Sequence, residues 1–187
     1  MAKRVAFSGK HLALAETALH HNDTEAALTL FYSPTAPSYS IRFAGERPDE
    51  VRSELGYRKA ELDRNTTLNL LAAVEAAFRI DYLQRCYLKK KDDVSRQFRE
   101  IYKEKEARAS LEDDIFEVWK NNTLGSAKLI GELRGAFKFR HWMAHGRYWT
   151  PKFGQKYDYL SVYPLAASAL TSFPLIPVSS ESDGVDE

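Results

Sequence analysis

Proline and glycine are confined to a few joints in this chain. Between them the apolar residues recur at three- and four-residue spacing, with no alternating run long enough for a strand. A chain so patterned buries its apolar side chains by packing helix on helix, so the expected class is all-α. A first helix is expected over residues 9–32, where Leu12, Ala15, Leu19, Ala26, Leu28 and Phe31 share a spacing, with a kink at His21-Asn22-Asp23. Ser33-Pro34-Thr35-Ala36-Pro37 ends it, and Tyr39-Ser40-Ile41-Arg42-Phe43 reads as a short extended piece. Pro48-Asp49-Glu50 opens a second helix, and Asn65-Thr66-Thr67 offers a cap for a third that runs to about residue 90. A strongly charged helix to about residue 108 reads as a solvated face. Ser110 then caps a short helix closed by Asn121-Asn122-Thr123-Leu124-Gly125. Ser126 caps the next, which should stop at Gly146, and a last helix over 157–172 is entered or kinked at Pro164.

At 187 residues the chain suits one domain, expected over 1–173, with 174–187 as an acidic, disordered tail. The formal net charge of +1 excludes a broad electrostatic attraction to nucleic acid or membrane and leaves local patches to argue from. A single cysteine, Cys86, excludes an internal disulfide framework and suits a reducing cytoplasm. The basic start Met1-Ala2-Lys3-Arg4 is followed by Lys10, His11 and Glu16 before any apolar run of signal length, so no export signal is read. Nor is there an apolar stretch of membrane-spanning length.

Helical geometry singles out two residues. At about 100° per residue, with Leu133 as zero, Leu129 and Phe137 fall about 40° to either side and Arg140 about 20° away, inside the apolar stripe. A buried, unpaired guanidinium costs several kcal/mol, so Arg140 needs an anionic partner. Glu75 is equally misplaced, because Leu68, Leu71, Ala72, Phe78, Tyr82 and Cys86 all lie within about 60° of it. Two readings stand: Glu75 pairs with Arg140, or Glu75 bonds its own i+4 neighbour Arg79 while Arg140 extends past the core to water. On the same helix Arg134, Lys138, His141 and His145 form a narrow basic strip about 80° to 140° from Leu133, either a phosphate site or a solvated flank.

The block Arg140-His141-Trp142-Met143-Ala144-His145-Gly146 resembles the motif of the HEPN superfamily. That motif is an arginine, a following polar residue, and a histidine at the end of a late helix. The resemblance covers about 9–172 as architecture, but only Glu75 and residues 140–148 as matched positions. It implies an up-and-down helical bundle of about five or six helices that forms a homodimer, bringing two motifs to one cleft. The implied activity is a metal-independent endoribonuclease without cofactor, closest to stand-alone bacterial toxin and phage-defence proteins, with RNA as substrate and a cognate antitoxin or regulatory protein as a further partner. Carried over by residue, Arg140 holds the scissile phosphate, His145 is general acid or base, His141 assists and Glu75 orients the arginine. Arg134, Lys138, Arg147 and Tyr148 would contact RNA or its phosphates. The RNA 2′-hydroxyl would attack its own phosphate, giving a 2′,3′-cyclic phosphate and a 5′-hydroxyl, without metal. Arg140 and His145 point about 140° apart on a straight helix, so a loosened last turn or a two-fold partner is required. Some relatives in that superfamily carry a tyrosine two residues past the histidine as a target for nucleotide transfer; here Tyr148 stands three past.

Two other classes compete. A HEPN-like adaptor without activity would bind nucleotide or RNA through Arg134, Lys138 and Arg140, or would bind another protein. His141 and His145 at i, i+4 also have the spacing of a helical metal pair, but no third ligand lies near them in sequence and no glutamate stands between them as in a zincin.

Overall fold

The structure, a computed structural model, describes residues 4–10 and 12–178. It is all-α, with seven α-helices and no strand among the described residues. They are α1 (Leu14–Phe31), α2 (Tyr39–Arg42), α3 (Pro48–Tyr87), α4 (Asp93–Lys105), α5 (Phe116–Asn122), α6 (Ala127–Ala144) and α7 (Tyr159–Ser172). A π-type turn, Leu111–Ile115, leads into α5. No helix is long and apolar enough to cross a membrane among the described residues.

The spine is α3, whose 40 residues span about 60 Å at 1.5 Å per residue. It starts where expected, with Pro48 at its first position and the Glu50 carboxylate accepting the Arg47 N–H at 2.8 Å. It is not interrupted at Asn65-Thr66-Thr67, which corrects the expected cap. The Thr67 hydroxyl donates to the Asp63 carbonyl one turn back, and the Thr66 hydroxyl is taken by His21 of α1 at 2.9 Å. With both hydroxyls engaged inside the helix or across it, nothing competes with the helical backbone there. α1 is likewise uninterrupted at His21-Asn22-Asp23, where a kink was expected. Of the residues expected to precede Leu14 in that helix, His11 lies outside the described residues.

Residue pairing gives the helix directions. Contacts of α1 with α3 run 21 to 66, 25 to 59 and 32 to 54, so these helices are antiparallel. Those of α6 and the residues after it run 140 to 75 and 147 to 61, again antiparallel to α3. Contacts of α7 and its flanks run 63 to 159, 78 to 173 and 81 to 176, parallel to α3. Long helices thus alternate in direction around α3. The core they enclose is aromatic: Phe78, Tyr82, Phe98, Phe116, Trp119, Phe137 and Phe173 are all buried, with Phe78 edge-on to Phe116 at 5.1 Å and to Phe173 at 5.3 Å.

Three further expectations change. Residues 39–43 form a helical turn rather than an extended piece, because only a helix brings Tyr39 and Phe43 together, at 5.1 Å, against Tyr32 in a small satellite core with Val51. The charged helix α4 is not wholly solvated: Val94, Ser95 and Phe98 are buried, and Phe98 packs edge-on against Tyr82 at 5.2 Å. Ser126 precedes α6 but does not cap it, since its hydroxyl points back to the Thr123 carbonyl at 2.8 Å. Past α7, residues 174–178 lie along α3. There the Pro174 carbonyl accepts from Arg85 at 2.7 Å and the Ile176 N–H donates to Asp81 at 2.9 Å. Residues 179–187, the greater part of the expected tail, lie outside the described residues.

Candidate active site

The helix α6 ends as its sequence requires. Ala144 is the last helical residue, Gly146 has φ +74° in the left-handed region that favours glycine, and Gly146 and Arg147 return their N–H groups to the carbonyls of Met143 and Trp142. The His145 N–H still bonds the His141 carbonyl at 3.1 Å, so the last turn is not loosened. Arg140 and His145 therefore keep the divergence of about 140° that a straight helix gives them.

On the inner side, Arg140 meets Glu75: Nη2 lies 2.6 Å from Oε2 in an ion pair, with the two side chains 35% and 17% exposed. Glu75 also accepts from Arg79 Nε through its other oxygen at 2.8 Å, and Arg79 reaches on to the Ala109 carbonyl at 3.0 Å. Both expected partners of Glu75 are thus present, one on each carboxylate oxygen. This fixes the carboxylate in orientation and through it the guanidinium of Arg140. The Arg140 Nε is buried without a partner among the described residues.

On the outer side, His141 and His145 are exposed and adjacent, with ring centroids 4.2 Å apart and their planes tilted by 52°. Trp149 comes back over both, 6.0 Å from His141 and 6.5 Å from His145, its carbonyl accepting the indole N–H of Trp142 at 2.8 Å. Lys138, His141, Trp149 and Lys152 border a hollow of about 460 Å³ beside this pair. Trp149 and Lys152 were not singled out from the sequence, since a tryptophan and a lysine in a loop carry no spacing signal. Only the fold of that loop onto α6 brings them to the histidines.

The remaining expected phosphate contacts divide. Lys138 is exposed on the strip as expected. Arg134 is not free: it donates to the Glu117 carboxylate and to the Glu112 carbonyl, both at 2.6 Å, and holds the Glu117 carboxyl below the usual range. Arg147 is engaged by Glu61 at 2.7 Å, which lowers the Glu61 carboxyl and raises the guanidinium. Tyr148 is 83% exposed and touches Trp149 edge-on at 4.7 Å. Among the described residues no group of three or more His, Cys, Asp or Glu is placed to hold a metal ion.

One chain therefore offers two half-sites on opposite flanks of α6. One is an oriented guanidinium, the other a pair of histidines under a tryptophan. No hydrogen bond or ion pair joins Arg140 to His141 or His145 among the described residues. Comparison with models of known protein families, with curated proteins and with solved structures finds no match to this chain.

Proposed function

We propose that the chain is a metal-independent endoribonuclease of the HEPN type that cleaves single-stranded RNA in a cleft shared by two copies. The observation that carries this reading is the clamp on Arg140. A guanidinium is held in the apolar face of α6 by a carboxylate fixed from its other side, five residues before the exposed turn that starts at His145. Holding a cation in place before a substrate arrives is what stabilisation of a charged transition state requires. In the composite cleft Arg140 of one copy binds a non-bridging oxygen of the scissile phosphate. His145 of the other takes the proton from the 2′-hydroxyl as O2′ attacks phosphorus. The bond from phosphorus to the 5′-oxygen breaks, and a protonated imidazole, with His141 as the nearest, supplies the proton that makes the 5′-hydroxyl. The products are a 2′,3′-cyclic phosphate and a free 5′-hydroxyl. Lys138 and Tyr148 extend the contact to flanking nucleotides. The setting we propose is a cytoplasmic toxin or phage-defence system with a cognate antitoxin or regulatory protein.

An inactive adaptor that binds another protein is favoured by one observation, the pairing of Arg134, Arg140 and Arg147 with carboxylates, which reduces the charge offered to phosphate. The test is incubation of single-stranded RNA with the protein in excess chelator and analysis of the ends. Cyclic-phosphate products, reduced about 10²-fold or more by Arg140→Ala or His145→Ala, support the enzyme. Mixing the two inactive variants should recover part of the activity if each cleft draws on both copies. RNA left intact across varied substrates supports the adaptor.

A further inference from the structure

The arginines of the candidate active site are paired with carboxylates, and unopposed positive charge also stands away from that site. Much of it gathers at the far end of α3. Among the described residues, Lys89, Lys91, Arg99 and Lys103 line a hollow of about 440 Å³ whose remaining walls are Cys86 and Tyr102, with no carboxylate in its lining. The nearest acidic side chains have other partners. Asp92 accepts from Arg85 and Ser95, Asp93 from Arg96, and only Glu100 pairs with one of the four, Lys103. Lys89, Lys91 and Arg99 have no carboxylate partner among the described residues. Arg99 is held in place by donation to the Lys90 carbonyl.

Lysines after a helix often serve its terminal carbonyls, but here those groups are already satisfied. Backbone N–H groups of Leu88, Lys89 and Lys90 bond the carbonyls of Gln84, Cys86 and Arg85. The ammonium groups of Lys89 and Lys91 have no partner within the chain among the described residues. Burial pushes the Cys86 thiol up to about 12, so the floor of the hollow is neutral. Beside it, Tyr102 meets Tyr87 edge-on at 5.9 Å, and Arg4 lies 5.1 Å over the Tyr87 ring, adding a fifth cation and an aromatic rim. Cations bordering a hollow, next to tyrosines, match the chemistry of a phosphodiester backbone with unstacked bases.

We propose that Lys89, Lys91, Arg99 and Lys103 form a docking surface for the backbone of single-stranded nucleic acid, distinct from the candidate active site and about 20 Å from Glu75 along α3. Binding there does not require the chain to cleave RNA. It gives a net charge of +1 a local means of holding a polyanion.

The test uses the full chain and a fluorescein-labelled 2′-O-methyl oligouridine, which has no 2′-hydroxyl and cannot be cleaved by the proposed reaction. Anisotropy titrations are run over a range of salt concentrations. The triple variant Lys89→Glu, Lys91→Glu, Arg99→Glu should bind roughly ten-fold more weakly, and its slope of log affinity against log salt should fall by about 2. Should charge reversal prevent folding, as judged by circular dichroism, the variant with Gln at the three positions replaces it, with the same change in slope expected. Affinity and slope equal to wild type overturn the proposal. So does a wild-type protein that ignores the oligonucleotide but binds an oligoglutamate peptide through these residues, which would mark a surface for an acidic protein. Failure of RNA cleavage, with patch-dependent binding intact, would overturn only the ribonuclease reading.

Discussion

Replacing Glu75 by glutamine keeps the shape of the side chain and removes its charge, leaving Arg140 and Arg79 without their common counter-ion. Exposed ion pairs contribute about 0–1 kcal/mol, and removing one member of a buried pair costs about 3–5 kcal/mol. Glu75 is 17% exposed, but Arg140 and Arg79 are 35% and 37% exposed, so solvent screens much of the loss. The amide oxygen also still accepts one hydrogen bond. We expect Glu75→Gln to destabilise by about 1.5 kcal/mol, which for a chain of this size lowers Tm by about 3–6 °C. Urea unfolding of wild type, Glu75→Gln, Arg140→Gln and the double variant closes a thermodynamic cycle. A coupling of about 1 kcal/mol between the two positions is expected. The variant should also lose cleavage to nearly the extent of Arg140→Ala, because the guanidinium loses its orientation. A stability within about 0.3 kcal/mol of wild type together with strict additivity would refute the claim that Glu75 holds Arg140.

Gly135→Ala should be destabilising by about 1–3 kcal/mol, since a Cβ there would stand 2.3 Å from the Tyr157 hydroxyl. Adding Tyr157→Phe should recover part of the loss in thermal melts, and no recovery would place the strain elsewhere. Arg85→Leu should be the most damaging of these changes, about 3–5 kcal/mol in urea titrations. It removes the guanidinium from Asp81, which is fully buried, and frees the Pro174 carbonyl from its anchor. The Arg147 guanidinium holds the Glu61 carboxyl below its ordinary value, so the contribution of that pair is fully present above the unfolded glutamate pKa of about 4.3. It is lost as pH falls through the lower folded value. The Tm difference between wild type and Glu61→Gln should accordingly be constant near neutrality and vanish on acidification; a difference independent of pH would contradict the pairing.

Much of this molecule is local and was therefore written in the order of its residues. The spacing of apolar side chains specifies helices because a helix repeats every 3.6 residues whatever packs on it. The same repeat exposed Arg140 and Glu75 as charges inside apolar faces before any neighbour was known, and Gly146 marked the end of α6 because only its backbone tolerates that turn. What depends on distant partners was not written there. Asn65-Thr66-Thr67 has the composition of a cap, yet α3 runs through it because His21, 45 residues away, takes the Thr66 hydroxyl. Glu75 satisfies Arg79 and Arg140 at once, an outcome that α3 alone does not decide because the second partner arrives from α6. Arg134 and Arg147 are cations in sequence, but Glu117 and Glu61 occupy them in the fold, while Lys89, Lys91 and Arg99 have no carboxylate partner among the described residues. Charge is a property of a residue, and its availability is a property of what the folded chain sets beside it.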